Sequence, residues 1–542
     1  MNAESRPCPL CKQLSQVQHQ LESGWAPPAV KELLAAYHPE WQEEKGACPS
    51  CIERALLEVL LKTPDDKLHE TIQAAWPLDA ETAFGALPIP IRMHSDPNFK
   101  GKGITLAMID SGFFPHPDLC QPHNRIKAWA NAAKDPVEQL RFTTDAHPEW
   151  PLWHDLRADQ WHGLMTTCSA AGNGCLSHGL YRGLASQAEL VLVRTADHEG
   201  RITDASILRA LHWVRDVAEE LQIRVVNISV TGDAPETGGP IDQAVEELFN
   251  KNIVVLAAAG NSGERRLLPP ATARRALTVG GLDDRNTPSR QACELWHSNY
   301  GETEGGFTKP EVVAPSVWVV APLLPDTDEA SRAKELFERR RAGDESAEQE
   351  IAERNLVRPE YKLVEGTSFA SPIVASLACC MLEANPELTP ADVYRLIVSS
   401  AFPVVGATIE QQGAGAVDAG TAVALALRAA KGLLEGYANS PFPHAGGVRF
   451  VLFRSGASHV EVRGDWNDWA EPGLEATQIK PGVWIADFEG LPSGRYAYKF
   501  LIDGSAWIDD PSNPRKATDG AGRLNSVLIV PGAEESQEEV AA

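Results

Sequence analysis

The chain has 542 residues and a formal net charge of −25, with 43% hydrophobic and 23% charged residues. This length predicts roughly two to four domains with a sizeable core. The acidic balance argues against a nucleic-acid partner, because phosphate binding needs clustered lysine and arginine. The chain does not start with a basic segment followed by an apolar run, and no stretch approaches the ~18 apolar residues of a membrane span. We therefore expect a cytoplasmic protein without a membrane partner.

Residues 1–60 carry two CxxC pairs, formed by Cys8 with Cys11 and by Cys48 with Cys51. Each pair supplies two thiolates from one turn, and four thiolates can surround Zn²⁺ tetrahedrally. A small module needs such a staple. We expect a closed, structural zinc site that serves protein docking or controls access to a catalytic cleft. Redox pairs and loose thiols are the alternatives.

The other six cysteines are scattered along the chain, which fits a reducing compartment better than a disulfide framework.

Residues 61–95 form a poorly defined connector that ends in ALPIPI. Residues 96–432 then alternate apolar strands with helical patterns, which predicts an α/β domain with a mostly parallel sheet. The expected buried strands are ITLAMI, AELVLVR, RVVNISV, NIVVLAAA and ALTVGGL. A charged helical run at 326–360 interrupts this domain. It is either a solvated surface hairpin or a lid or docking element.

Four polar residues in the α/β domain have the chemistry of nucleophilic catalysis. A serine hydroxyl needs a base, the base needs a carboxylate to orient it, and the developing oxyanion needs a donor. Asp110 ends an apolar strand, His162 precedes a glycine, Ser368 starts an apolar helix, and Asn261 follows a strand. Each alone also fits a structural role, as a turn residue, a core histidine or a helix cap.

The strings MIDSG, HPDL, HG, NISV, AAAGNSG and GTSFASP occur in this order. Together they resemble the subtilisin (subtilase) family over residues 96–432, and the order Asp, His, Ser is that of subtilisin. The resemblance implies a three-layer α/β fold around a parallel sheet. It also implies that Asp110 orients, His162 is the general base, Ser368 is the nucleophile and Asn261 contributes to the oxyanion hole.

The chain departs from the family pattern near the expected cleft. Leu164 and Met165 replace the Thr and His that usually follow His-Gly. The segment that pairs with substrate in the family corresponds to Ser229, Thr231 and Gly232, and a bulkier Thr231 is expected to narrow the cleft. A tryptophan-rich insertion at 148–161 is expected to shape the rim.

Asp118 matches a calcium ligand of some relatives, but its partner ligands are not found in the sequence.

After a linker at 433–445, residues 446–532 are dense in short strands and predict an immunoglobulin-like β-sandwich. The strings VEVRGDWNDWAE, GVWIADFEGLPSGRYAYKFLIDGSAWIDDP and NSVLIV resemble the carbohydrate-binding module of glycogen-binding kinase subunits. The resemblance implies α-glucan contacts by four residues: Trp469, Lys499, Trp507 and Asn525. Trp466 and Trp484 are expected to pack inside.

The same sandwich also serves protein–protein contact, so a protein partner is the alternative to an α-glucan. An acidic tail follows at 533–542.

Taken together, these features predict a selective serine endopeptidase that cleaves a protein substrate through an acyl-enzyme. A dedicated processing or defence protease is one variant of this prediction. A catalytically silent scaffold that binds glucan or protein partners is the alternative from a different class.

Overall fold

The structure is a computed structural model of the chain. It describes residues 6–10, 12, 14–15, 28–63, 67, 86–143, 160–177, 179–233, 238–303, 307–430, 440–444, 447–454, 457–480, 483–492, 494–510, 513, 516–518 and 524–530.

A mostly parallel sheet forms the centre of the α/β domain, which is described here over residues 86–430. Its parallel strands lie side by side in the order Ala276–Asp283, Val254–Ala258, Ile223–Ile228, Thr105–Asp110, Glu189–Arg194 and Ile126–Asn131. Val312–Pro315 adds in parallel to the first of these, and Glu294–Leu295 and Glu138–Arg141 are antiparallel edge strands. The five strands expected from the sequence are confirmed.

Helices cover both faces of this sheet. Asp204–Leu221 and Pro240–Asn250 pack on one face. The other face carries four helices: Gln160–Ala171, Thr367–Ala384, Pro390–Ser400 and Ala419–Ala430. Short helices at Pro117–Cys120 and Ile409–Gln412, and a strand pair Gly301–Glu302 with Thr308–Lys309, complete the domain.

The strand Thr105–Asp110 shows why the apolar strand pattern is continuous. Leu106 and Met108 enter the core on one face, whereas Ala107 and Ile109 enter the core on the other. Side chains alternate across a strand, so a sheet covered on both faces needs apolar residues at every position. Asp110 is the last residue of this strand and lies at the carboxyl edge, where open α/β sheets place their sites.

Two helices are of special interest. We call Gln160–Ala171 the histidine helix and Thr367–Ala384 the serine helix, after His162 and Ser368. The serine helix is the one described helix whose length and composition would allow it to cross a membrane, with a mean hydropathy of 1.4. The expectation that no stretch approaches this was wrong. However, 83% of that stretch is buried, so the helix is the core helix of the domain.

The charged insertion folds as two helices, Asp328–Arg341 and Ser346–Glu353. They bury a small apolar cluster of their own that includes Leu336, Phe337 and Ile351. The flanking strands Val319–Pro322, Tyr361–Val364 and Leu356–Arg358 form a three-stranded sheet in that order. The strand Tyr361–Val364 leads directly into the serine helix.

The N-terminal module comprises the strand pair Arg6–Pro7 and Leu14–Ser15 and the helices Pro28–Tyr37 and Pro49–Lys62. A single-turn helix at Glu43–Lys45 lies between them. Its core is shared with the α/β domain, because Tyr181, Val357 and Tyr361 belong to the same buried cluster as Cys8 and Cys48.

The end of the expected connector is packed rather than loose. Residues 86–93 are buried, with a short helix at Ile89–Arg92. The Arg92 guanidinium binds both carboxylate oxygens of Asp284 at 2.7 and 2.8 Å and also donates to the carbonyls of Val317 and Trp318. This segment therefore belongs to the α/β domain.

The C-terminal β-sandwich consists of two antiparallel sheets. One sheet has the order Phe442–His444, Gly447–Phe453, Val483–Glu489 and Thr477–Lys480. The other has the order Leu474–Glu475, Val460–Gly464, Gly494–Ile502, Leu524–Val530 and Lys516–Thr518, with Ala506–Ile508 added to Gly494–Ile502. Trp466 packs among Phe450, Phe488, Tyr496 and Tyr498, and Trp484 is buried. The α/β domain with a second, β-sandwich domain confirms the predicted fold class.

Candidate active site

Asp110 and His162 form a hydrogen-bonded pair at the carboxyl edge of the central sheet. The Nδ1–H of His162 donates to Oδ1 of Asp110 at 2.6 Å, and the Asp110 side chain is fully buried. The backbone of Ser111 donates to the same oxygen, and Thr166 donates to the other at 2.7 Å. The hydrogen bond from His162 to Asp110 holds the imidazole ring in the tautomer that leaves Nε2 as the acceptor.

Gly163 explains how His162 reaches the aspartate. A Cβ at this position would lie only 2.0 Å from the carbonyl oxygen of Gly112. The histidine helix therefore approaches the loop after Asp110 more closely than any other residue type would allow.

The electrostatic setting suits His162 for work as a base. Burial lowers the pKa of the ring, but the charge of Asp110 and its hydrogen bond raise it by more, so that the pKa lies above the ordinary 6.5. The ring lies edge-on to Trp161, with centroids 5.3 Å apart, and 5.9 Å from the ring of Phe369. These two aromatic neighbours restrict the orientation of the ring.

Ser368 is the second residue of the serine helix and directly precedes Phe369, whose ring lies 5.9 Å from that of His162. Within the described residues, its hydroxyl and His162 do not form a hydrogen bond, and such bonds often tighten only when substrate binds. Gly366 begins the helix with a φ of +132°, a conformation that side chains rarely adopt. The motif therefore needs glycine at this position.

A proline inside the serine helix explains a network of hydrogen bonds at the carbonyl of Ser368. Pro372 has no N–H, so the carbonyl of Ser368, four residues earlier, lacks its helical donor. The hydroxyl of Ser229 donates to this carbonyl at 3.0 Å. Asn227 in turn donates to Ser229 at 2.9 Å and accepts from Ser371 at 2.7 Å.

Asn261 lies at the amino end of the serine helix. Its Oδ1 accepts from the backbone N–H of Thr367 at 2.9 Å and from the Thr367 hydroxyl at 2.7 Å. Because Oδ1 is fixed by two donors, the side-chain NH2 is left to donate elsewhere. A helix amino terminus and an amide donor together favour a developing negative charge.

The residues of the predicted substrate-pairing segment differ in exposure. Thr231 is exposed, whereas Ser229 and Gly232 are buried. A Cβ on Gly232 would lie 2.4 Å from a carboxylate oxygen of Asp204. Ser229 therefore supports the serine helix through its side chain, and the substrate role of the segment stays a prediction. Residues 148–159 of the tryptophan-rich insertion at 148–161 lie outside the described residues.

Sequence reasoning missed three supporting residues: Thr166, Asn227 and Thr367. Thr166 lies four residues after His162 on the same helical face, which is a readable signal. Asn227 is a fully buried polar residue inside an apolar strand, which is unusual without a specific partner. The contact between Thr367 and Asn261 joins residues that are 106 positions apart and has no local signal.

Asp118 does not fit a calcium site. Its carboxylate oxygens accept from the hydroxyl of Tyr361 at 2.8 and 3.1 Å, and one also accepts from the N–H of Leu176. Calcium needs a shell of oxygen acceptors, whereas these neighbours are donors. Asp118 also lies near His116 and Cys168. The Nδ1 of His116 already accepts from the N–H of Asp118.

Three of the four predicted zinc ligands come together. The sulfur atoms of Cys8, Cys48 and Cys51 lie within 4.8 Å of one another, with Cys8 and Cys51 3.9 Å apart. Ligands about 2.3 Å from a tetrahedral zinc are separated by ~3.8 Å. The N–H of Cys48 donates to the Cys8 sulfur at 3.3 Å. The donor set therefore fits a metal. Cys11 lies outside the described residues.

Three of the predicted sugar-contacting residues, Lys499, Trp507 and Asn525, belong to one sheet of the sandwich, and Trp469 lies in a turn near Trp507. The rings of Trp469 and Trp507 are 6.1 Å apart, and the Arg463 guanidinium lies 5.5 Å from the Trp507 ring. Lys499 is opposite Arg463 in register. Trp507 is 42% exposed, whereas Lys499 and Asn525 are each 8% exposed. The tryptophans therefore present the accessible part of this face.

Comparison with known proteins agrees with this geometry. Residues 101–427 match the model of the subtilase family, and residues 449–536 match that of the glycogen recognition site of AMP-activated protein kinase. Serine protease AprX of Bacillus subtilis (strain 168) is 32% identical over 333 residues, covering 60% of this chain and 66% of AprX. Subtilisin BL of Lederbergia lenta is 25% identical, covering 59% of this chain and 90% of that protein.

Halolysin of Haloferax mediterranei is 25% identical, covering 73% of this chain and 61% of halolysin. The chain therefore spans less than two thirds of the length of AprX and of halolysin. Because the family model covers more than half of the sequence, from residue 101 to residue 427, the chain belongs to the subtilase family.

Proposed function

We propose that the protein is a serine endopeptidase in which Asp110, His162 and Ser368 form the catalytic triad. The observation that carries the proposal is the 2.6 Å hydrogen bond from His162 to the buried Asp110. It fixes the histidine tautomer beside the first turn of the serine helix. The similarity to named serine proteases supports the same chemistry.

The proposed reaction proceeds through an acyl-enzyme. Nε2 of His162 takes the proton of the Ser368 hydroxyl as Oγ attacks the carbonyl carbon of the scissile peptide bond. His162 then gives the proton to the leaving amine, and the carbon–nitrogen bond breaks. Water, activated by the same histidine, hydrolyses the ester and restores the serine.

Asn261 has the second role in this mechanism. The negative charge that develops on the carbonyl oxygen is stabilised by the Asn261 side-chain NH2 and by the amino end of the serine helix. Thr367 acts through Asn261, because its two hydrogen bonds fix the amide orientation.

The variant Ser368→Ala tests the triad. We expect loss of cleavage of a denatured protein substrate with an unchanged unfolding transition, because the hydroxyl is the nucleophile and not a packing group. Ser376→Ala is the matched control, since Ser376 is buried in the same helix and its hydroxyl donates only to the carbonyl of Ile373. Cleavage retained by Ser368→Ala would contradict the assignment of Ser368 as the nucleophile.

We also propose that the enzyme is selective. The exposed Thr231 replaces a smaller residue in the segment that is predicted to pair with substrate. The N-terminal module and the β-sandwich are additional surfaces that can direct the enzyme to a protein substrate. A dedicated processing or defence role would be one form of this selectivity.

For the β-sandwich we propose α-glucan binding through Trp469 and Trp507, with Lys499 and Asn525 as hydrogen-bonding partners. Flat aromatic faces suit the apolar faces of sugar rings. Retarded migration in glycogen-containing native gels tests this, and Trp469→Ala should abolish the retardation. Unchanged migration of the wild type would leave a protein partner as the function of this face.

We further propose that Cys8, Cys11, Cys48 and Cys51 hold a structural zinc ion. Metal analysis of freshly purified protein should give one zinc per chain, and Cys48→Ser should lower this ratio. Cys175→Ser is the control, because Cys175 lies in the α/β domain and is not one of the cysteines whose sulfur atoms come together. Zinc well below stoichiometry in the wild type would favour redox pairs or loose thiols.

The compartment that we propose is the cytoplasm. Cys120, Cys168, Cys293, Cys379 and Cys380 are buried thiols that form no disulfide. This agrees with a reducing environment.

A silent scaffold is the second candidate function. The accessory modules favour a scaffold only if the triad does not react. Comparing cleavage by the wild type with cleavage by Ser368→Ala therefore decides between an enzyme and a scaffold.

A further inference from the structure

A cavity of about 510 Å³ lies between the α/β domain and the β-sandwich. The helix Pro390–Ser400, Arg274 and Phe307 form one wall, and Leu452, Arg454 and Trp507 belong to the other. The volume is within the range of small-molecule sites, and such sites occur preferentially where two domains meet. No residue of the triad lines it, so this cavity is separate from the proposed catalytic site.

The walls of this junction cavity carry an excess of positive charge, in a chain whose net charge is −25. Its basic residues are Arg274, Arg275, Arg395, Arg454 and Lys516, and its acidic residues are Glu311, Asp392 and Asp509. The acids are already engaged: Asp392 pairs with Arg395 at 2.7 Å, Asp509 pairs with Lys516, and Glu311 pairs with the buried Lys309 at 2.6 Å.

Arg275 pairs with Glu246 at 3.6 Å, so two of the five basic residues, Arg274 and Arg454, are left over. In the part of the chain that the structure describes, neither Arg274 nor Arg454 has a carboxylate within ion-pair distance. Arg454 is half-buried, and burial together with the nearby Arg290 lowers its pKa, with a smaller opposing effect of Asp503. A bound anion would therefore stabilise the charged form of Arg454, which is half-buried and lies near Arg290.

Aromatic rings lie beside the arginines in the wall of the cavity. Arg274 lies 5.2 Å from the ring centroid of Phe307, and Arg275 lies 4.6 Å from that of Phe249. These stacks hold the guanidinium groups at the wall. Trp507 contributes an indole that is 42% exposed and can pack against the apolar face of a sugar ring.

We propose that the junction cavity binds a phosphorylated sugar, with its ring against Trp507 and its phosphate at Arg454 and Arg274. Arginine suits phosphate because its planar N–H donors match the phosphate oxygens. Since both domains supply walls, the bound ligand links the β-sandwich to the α/β domain. Trp507 is shared with the proposed glucan face, so the ligand competes with glucan there.

Calorimetry on the full chain tests this, in the Ser368→Ala background to prevent self-cleavage. The ligands are glucose 6-phosphate, glucose 1-phosphate, maltotriose and inorganic phosphate. We expect a sugar phosphate to bind more tightly than inorganic phosphate and maltotriose. Arg454→Gln should weaken this binding by about tenfold or more, as expected for a lost charge-assisted hydrogen bond. Trp507→Ala should weaken it as well.

Arg495→Gln is the matched control, because Arg495 is an exposed arginine of the same sandwich outside the cavity, and it should leave the affinity unchanged. Three results would overturn the proposal: no binding of either sugar phosphate, binding that Arg454→Gln leaves intact, or equal binding of inorganic phosphate. Cleavage by the chain with Ser368 intact is measured separately, so failure here does not bear on the proposed peptidase activity.

Discussion

At the scale of single residues, His162 is fixed by contacts from three sides. Asp110 accepts from its Nδ1–H, Trp161 meets the ring edge-on, and Phe369 lies 5.9 Å away on the serine helix. Asp110 is itself fixed by donors to both of its oxygens. The orientation of the base thus depends on a small set of neighbouring side chains.

Thr166→Val tests this dependence. The variant removes the 2.7 Å hydrogen bond to Asp110 Oδ2 and leaves a buried carboxylate oxygen without this donor. Hydrogen bonds to charged groups are worth about 1.5–3 kcal/mol, so we expect kcat/KM to fall by about tenfold or more. Thr167→Val is the control, because Thr167 donates only to the Gly163 carbonyl. Equal effects of the two variants would contradict the positioning role.

The pH dependence of kcat/KM follows from the pKa of His162. The base must be neutral to accept the serine proton, and its pKa is raised above 6.5 by Asp110 despite the burial. We therefore expect kcat/KM to fall as pH drops through a midpoint above 6.5. Asp110→Asn should move the midpoint of the residual activity downward, because only the lowering effect of burial remains. A wild-type midpoint below 6.5 would be inconsistent with this geometry.

Sequence patterns predicted the triad because each member stands in its own short motif at a strand or helix end. They did not predict the neighbours that hold it. Asn227 and Ser371 are 144 positions apart, and Ser229 and Ser368 are 139 positions apart. Such contacts are made by the packed sheet and helices, and local periodicity carries no information about them.

At the scale of secondary-structure elements, the strand Tyr361–Val364 connects three parts of the molecule. It pairs with the strands around the charged insertion and continues into the serine helix. Its first residue, Tyr361, is fully buried and donates to Asp118. Sequence reasoning treated the insertion as a surface hairpin or a lid, and had no means of placing Tyr361 next to a residue 243 positions away.

Tyr361→Phe tests the importance of this contact. The variant keeps the ring but leaves the buried Asp118 carboxylate without its hydroxyl donor. We expect a loss of about 1.5–3 kcal/mol in the free energy of unfolding, measured by chemical denaturation at neutral pH. Tyr496→Phe is the comparison, because the Tyr496 hydroxyl bonds to the Pro492 carbonyl at an exposed position. Added calcium should not restore the stability of Tyr361→Phe, and recovery with calcium would contradict the interpretation of Asp118.

At the scale of the whole molecule, the N-terminal module packs directly against the α/β domain. Its helix Pro49–Lys62 carries Glu53, whose carboxylate binds the Arg182 guanidinium of the α/β domain at 2.7 and 2.9 Å. The side chains are 14% and 6% exposed. The apolar cluster around Cys8 and Tyr361 continues across the same boundary. Composition and spacing predicted the module but not this contact.

Glu53→Gln tests the docking. Removing one partner of a buried ion pair leaves the charge of Arg182 uncompensated, which typically costs about 3–5 kcal/mol. We expect a destabilisation of this size in chemical denaturation of the full chain. Glu138→Gln should cost less than about 1 kcal/mol, because its pair with Lys134 is exposed. A Glu53→Gln variant as stable as Glu138→Gln would mean that the module is held mainly by apolar contacts.

The central claim is that Ser368 is an activated nucleophile, and covalent labelling with a fluorophosphonate measures this directly. Attack by the Ser368 hydroxyl forms a bond to phosphorus and expels fluoride, and peptide mapping by mass spectrometry locates the adduct. We predict a single adduct on Ser368 that is absent in His162→Ala. No labelling of the folded protein, or labelling that persists in His162→Ala, would contradict the account.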